Sequence, residues 1–446
     1  MDITTLSLIG LIVMALLFDF TNGFHDSANS IATVVATRVL RPRFAVAWAA
    51  FFNFVAFLVV GTAVANTVGK TVKAEYVGMA VIFAALLGAI SWNYLSWYLG
   101  LPTSSSHALV GGLVGAGLAR GGLAAIKESS VEKTALFLVV SPIAGMLLGG
   151  GIMLLLRLLF ARMNPERTRR GFRVGQLFSS AAISVAHGGN DAQKTMGVIA
   201  ALLVSTGHLT ELGGKLPIPA WLVLAAEATI ALGTLSGGWR IIQTMGLRIT
   251  QLQPMSAFSA DAGAAIALFG STALGAPVST THTVAGSISG VGTVGRASTV
   301  NWGVFGRVAM AWLVTMPFSG VVAAASYWLT TVPSSQVSGL VMGTVVLGLG
   351  TILVVAVRRA PNATDIEAEL PDSAAFAVPP KPRSAPPERR PALAEPRSAP
   401  PEPRSAPPIG SGPVEPNPAA TIPEQVHIRL DAGPTKPPVG TGSGPA

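Results

Sequence analysis

The chain has 446 residues, of which half are hydrophobic and only 11% are charged, and its mean hydropathy is +0.56. Soluble domains carry about 25% charged residues, so a soluble globular enzyme is excluded. The formal charge of +9 does not point to nucleic acid. Up to Arg359 there are 22 Lys and Arg against 11 Asp and Glu, and that excess sits in short connections, as membrane topology requires. Cysteine is absent, which removes disulfides, thiolate metal sites and Cys nucleophiles.

Taken in chain order, the first apolar run covers 3–37, with an interruption. It follows Met1-Asp2-Ile3 without a basic n-region and reads as a retained transmembrane segment. Further runs follow at 44–68, 76–99, 106–126, 133–157, 173–207 (interrupted), 218–236, 258–275, 282–295, 301–328 and 337–357. Runs of this kind span ~30 Å of hydrocarbon. They predict an all-α polytopic membrane protein with about 11 membrane crossings. Beyond Ala360 the composition changes: this stretch holds 22 of the 32 prolines and repeats Pro-Arg-Ser-Ala-Pro-Pro three times. Such a segment cannot bury enough apolar surface to offset its ordering entropy, so 360–446 is expected to be a disordered Pro-rich tail.

Two motifs recur in the same order. Asn22-Gly23-Phe24-His25-Asp26-Ser27-Ala28-Asn29 aligns with His187-Gly188-Gly189-Asn190-Asp191-Ala192-Gln193-Lys194, and Pro102-Thr103-Ser104-Ser105-Ser106-His107 with Pro277-Val278-Ser279-Thr280-Thr281-His282. Gly111 and Gly115 match Gly286 and Gly290 in step. The chain therefore reads as an internal duplication: a first repeat over 1–160, a second over 171–330, and an additional helix at 337–357. Arginines cluster at Arg38–Arg43, Arg157–Arg173, Arg240–Arg248, Arg296–Arg307 and Arg358–Arg359. The positive-inside rule assigns them to the cytoplasm, with the N-terminus outside and the tail inside. With that assignment the two repeats have inverted topology, the arrangement that lets one central site face either compartment.

Asp26 and Asp191 lie inside apolar segments, where a carboxylate costs ~2.5–3.5 kcal/mol on insertion scales. The glycines beside them predict broken helices with unwound backbone, whose carbonyls and carboxylate suit a cation. The Ser/Thr motifs read as helix starts with hydroxyl N-caps. Inside a membrane such a start cradles an anion without a fixed charge. Asn29 corresponds to Lys194. That ammonium is open to three readings: contacting the anion, neutralising Asp191, or replacing a cation bound by the other half. His25 is a candidate proton carrier, whereas His107 and His282 read as hydrogen-bonded structural histidines. Asp19, Glu227 and Asp261 are further acidic candidates.

Through these motifs the chain resembles the PiT family of inorganic phosphate transporters in its bacterial branch, over about residues 8–330. The resemblance implies cation-coupled phosphate symport in a cell membrane, broken helices and a homodimer with a moving transport domain. By motif position it implies a centre of Asp26, Asn29, Asn190, Asp191 and Gln193, with Ser104, Ser105, Ser106, Ser279, Thr280 and Thr281 around the anion. His25 before Asp26 departs from the usual Gly-x-Asn-Asp form. Asn53 and Asp261 stand where sodium-coupled relatives tend to carry Glu. These departures point to protons as the coupling ion, with His25, Asp26, Asp191 and Asp261 as carriers and Lys194 among the substrate ligands. No cofactor and no resident metal site are expected; phosphate is expected to enter alone or as a divalent metal complex. Sodium-coupled phosphate transport and sulfate transport keep the same fold and remain as alternatives. A phosphate sensor and an intramembrane hydrolase are rivals of another class, and the hydrolase lacks a nucleophile-elbow pattern.

Overall fold

The computed structural model describes residues 3–59, 61–295, 299–331, a few positions between 344 and 351, and 362–370. The elements come in two matching series. In the first, α1 (Ile3–Ala36) is followed by α2 (Pro42–Phe54), α3 (Ala63–Gly69), α4 (Met79–Tyr98), α5 (Ser105–Gly121) and α6 (Glu128–Leu159). In the second, α7 (Pro165–Ser205) leads to α8 (Ala220–Ser236), α9 (Trp239–Gln243, continued by a wide turn to Arg248), α10 (Pro254–Ala273), α11 (Thr280–Gly295) and α12 (Trp302–Thr330). Proline at the first turn opens α2, α7 and α10, where its missing N–H is no loss. The duplication extends to Pro142 inside α6 and Pro317 inside α12.

Among the described residues, five helices are long and apolar enough to cross a membrane, or seven if each bent pair counts as one span. The bent pairs are α2 with α3, at 92°, and α8 with α9, at 67°. The expected count of about eleven included shorter or more polar elements. α11 has only 16 residues, and α7 carries arginines and the Asp motif along its length. Residues 239–248, expected as a connection, form α9 and its turn, with Ile241, Ile242 and Met245 buried. The expected helix at 337–357 lies outside the described residues.

The predicted breaks at the Asp motifs are overturned. α1 runs unbroken for 34 residues and α7 for 41, both straight through their glycines. Those glycines serve close approach instead. A Cβ on Gly23 would land on the Ile230 backbone of α8, and one on Gly188 would land on the Asn53 backbone of α2. Small residues at such crossings let helices pack tightly without an aqueous hydrophobic drive. The breaks fall in the second element of each repeat, where α2 gives way to α3 and α8 to α9.

The repeats exchange partners. Gly111 and Gly115 of α5 abut the backbone of Met316 and Gly320 on α12, while Gly286 and Gly290 of α11 abut Pro142 and Met146 on α6. Each repeat's Ser/Thr helix therefore packs on the other repeat's last helix. His107 and His282, equivalent positions, meet with ring centroids 4.9 Å apart, and His282 stacks on Trp312 at 3.9 Å. The two rings pack against each other and, at His282, against an aromatic neighbour as well.

The start of the expected tail also differs. Ala363–Glu369 is a short helix with an Asn362/Asp365 capping box; Ile366 and Leu370 are buried, and Arg38 donates to the Leu370 carbonyl at 2.9 Å. Two apolar side chains and a cap suffice to order this stretch before the proline-rich sequence begins. Residues 371–446 lie outside the described residues.

Candidate functional site: a buried double-Asp centre

Because α1 is a continuous helix, Asn22, Asp26 and Asn29 share one face by the i, i+4, i+7 spacing, and His187, Asp191 and Lys194 do the same on α7. All six are at least 98% buried. The carboxylates converge: ligand atoms of Asp26, His187 and Asp191 lie within 4.8 Å of one another, a cluster able to hold a cation. Two carboxylates and an imidazole thus gather at one point.

Each half-site is completed by the other repeat. Thr281 Oγ1 donates to Asp26 Oδ1 at 3.2 Å, and Thr280 Oγ1 lies 3.4 Å from Oδ2. Asn29 Nδ2 donates to both hydroxyls, at 3.1 and 3.0 Å. In the second half-site Lys194 occupies Asn29's place. Its ammonium bonds Asp191 Oδ1 at 2.5 Å and also Ser106 Oγ, the residue equivalent to Thr281. Of the three readings of Lys194, the geometry shows neutralisation of Asp191. A buried pair of this kind compensates charges that neither partner could carry alone.

His25 and Asn22 orient the carboxylates. His25 Nδ1 lies 2.8 Å from Asp26 Oδ1 and Nε2 lies 3.0 Å from Ser96 Oγ; Asn22 Nδ2 donates to Asp191 Oδ2 at 3.3 Å. His187 Nδ1 lies 3.4 Å from Asn53 Oδ1, which turns Nε2 toward Asp191 Oδ2 at 3.7 Å. Asn22 and His187 were the pair that sequence reasoning quoted but did not place in the site. They sit four residues before each Asp, and only a continuous helix puts them on the same face.

The Ser/Thr motifs begin helices as predicted. Ser104 Oγ accepts from the His107 N–H at 3.2 Å and Ser279 Oγ from the His282 N–H at 3.1 Å. These two serines are N-caps, while Ser106, Thr280 and Thr281 reach the carboxylate centre. Ser105 Oγ, Asn22 Oδ1 and Asn29 Oδ1 are buried without a protein partner.

Three expected members also bond neighbouring elements. Gln193 Oε1 accepts from the Val64 N–H at 2.8 Å and ties α7 to α3. Asn190 Nδ2 donates to Thr272 Oγ1 of α10 at 2.7 Å, although its Oδ1 is unpartnered. Asp261 Oδ2 accepts from Thr33 Oγ1 at 3.0 Å and Ser179 Oγ at 3.2 Å.

Charged and hydroxyl groups from two duplicated halves, enclosed among apolar helices and reached from both repeats, define a membrane transporter. The phosphate transporter family matches residues 22–323. A probable low-affinity inorganic phosphate transporter of Rhizobium meliloti is 53% identical over 72% of this chain and 96% of its own length. One of Bacillus subtilis is 41% identical over 74% and 98%. A solved sodium-dependent phosphate transporter superposes with a TM-score of 0.67 at 26% identity, covering 74% of this chain and all of its own. The chain belongs to the phosphate transporter family and is a transporter rather than an enzyme. The resemblance drawn from the two Asp motifs is borne out.

Proposed function

We propose that the chain is a secondary symporter that carries inorganic phosphate into the cell with protons, across the cytoplasmic membrane, and that it accepts a divalent metal–phosphate complex. The observation that carries this reading is the Asp26–His187–Asp191 cluster beside the hydroxyls of Ser106, Thr280 and Thr281. One side of the centre suits a cation and the other an oxyanion. A phosphate entering against a negative-inside potential loses about 2.3 kcal/mol per charge per 100 mV, so co-transported cations must reverse the sign. Asp19 and Glu227 support protons as those cations. Both are buried, and neither forms a salt bridge among the described residues. The sodium-dependent structural neighbour makes sodium the second reading.

Labelled phosphate uptake into proteoliposomes separates the two. An inward proton gradient is expected to drive accumulation that excess sulfate does not inhibit. Accumulation driven by sodium alone would replace protons in this scheme, and sulfate transport without phosphate transport would overturn the substrate.

The two-series element order and the partner exchange support inverted repeats; the loop arginines support an N-terminus outside and a cytoplasmic C-terminal tail, and the family resemblance a homodimer. Single cysteines placed at the exposed, equivalent positions Leu99 and Leu274 in this Cys-free chain are expected to react with impermeant thiol reagents from opposite sides. Labelling from the same side would refute inversion.

A further inference from the structure

A second anion-suited feature lies outside the centre. A cavity of about 710 Å³ is lined by Lys70, Lys127, Lys133 and Lys215, with no acidic residue in its wall. Each lysine comes from a different stretch of chain: the end of α3, the lead-in to α6, the first turns of α6 and the lead-in to α8. Glu211 engages Lys70 at 2.9 Å from outside that wall, which leaves an excess of three positive charges. Hydroxyl and amide groups of Thr62, Asn66, Thr67, Ser129 and Ser130 fill the remaining polar surface. Four like charges around one concavity repel one another, and an anion between them relieves that repulsion. The cavity lies at the N-terminal end of α6, whereas Arg157 lies at the other end of that 32-residue helix.

Its floor adjoins the centre. Lys133 Nζ donates to the Leu274 carbonyl at 3.1 Å, and Thr67 Oγ1 donates to the Gly275 carbonyl at 2.8 Å. Three residues further on, the Val278 carbonyl accepts from Ser106 Oγ at 3.3 Å and faces Lys194 Nζ at 3.5 Å. Ala63 lines the cavity, and the next residue, Val64, donates its N–H to Gln193. The strap 274–278 thus has one end on the lysine cavity and the other on the double-Asp centre.

We propose that this cavity is an antechamber: a second, low-affinity site for the tetrahedral oxyanion, which passes from it to the centre by way of the strap. This deepens the transport reading above and rests on it. Ammonium groups are strongly hydrated point charges on flexible stems, suited to collecting an anion without trapping it. A concave wall of one sign focuses the field and raises the local anion concentration, an effect that added salt screens.

The test is phosphate uptake by the reconstituted full chain at low and high ionic strength. Lys127→Gln/Lys215→Gln removes the two charges for which no structural bond is seen. At low salt its KM for phosphate is expected to rise about tenfold with kcat unchanged, and the salt dependence of KM to flatten. Lys127→Arg/Lys215→Arg should restore the wild-type values, which a purely structural role for the lysine stems would not predict. Equal KM and equal salt dependence in wild type and the Gln variant would overturn the antechamber. Broadening of the phosphorus resonance of inorganic phosphate by the detergent-solubilised protein gives a readout independent of transport. A wild type that takes up no phosphate defeats the transport reading. In that event the lysine cavity stands as an oxyanion site alone if the Gln variant loses the broadening, and falls if it does not.

Discussion

Asp26→Asn and Asp191→Asn are each expected to abolish gradient-driven phosphate uptake, by at least about a hundredfold, while the protein still inserts. Asp26 engages His25, Thr280 and Thr281, and Asp191 engages Lys194, Asn22 and His187. Hydrogen bonds to a charged group contribute about 1.5–3 kcal/mol each, and 1.4 kcal/mol is a factor of ten. The amide keeps the shape and removes the charge on which cation and proton binding depend. The two variants should differ in stability. Asp26→Asn leaves no permanent charge stranded, whereas Asp191→Asn leaves the Lys194 ammonium buried without its counterion. Initial uptake rates normalised to membrane protein, with melting in detergent alongside, check both statements. Wild-type uptake by either variant would remove the double-Asp centre from the mechanism.

Lys194→Asn is the second large effect. It gives the second half-site the residue the first already has, and it strands Asp191. Breaking one side of a buried pair costs about 3–5 kcal/mol. The double variant Asp191→Asn/Lys194→Asn should be clearly more stable than the sum of the single losses predicts, yet inactive in transport. Thermal or denaturant melting of the four proteins closes the cycle. Additivity within about 0.5 kcal/mol would show that the two groups are not coupled.

The centre was legible in outline. Asp26, Asp191, Asn29, Lys194 and the Ser/Thr helix starts were visible because each breaks a local rule: charge inside an apolar run, or hydroxyl groups after a proline. Asn22 and His187 were written in the same motifs but hidden by the assumption of unwound backbone. Glycine in a sequence signals permission, either for a bend or for a close neighbour. Gly23 and Gly188 use the second, and with the helix intact the i, i+4 relation brings Asn22 and His187 to the site. Asp261, a carboxylate in an apolar run, bonds Thr33 of α1 and Ser179 of α7, partners that no local pattern names.

By itself the sequence determined the membrane class, the duplication and the chemistry of the centre. Composition, spacing and hydropathy are local quantities, and a carboxylate among apolar residues is costly wherever its helix packs. Tertiary structure decided which repeat completes which half-site. Asp26 is served by Thr280, 254 residues away, and Lys194 by Ser106, because α5 lies against α12 and α11 against α6. That exchange depends on pairs of backbones approaching at Gly111, Gly115, Gly286 and Gly290. Each glycine is readable in the chain; the backbone it admits is not, since a close approach is a property of two helices at once.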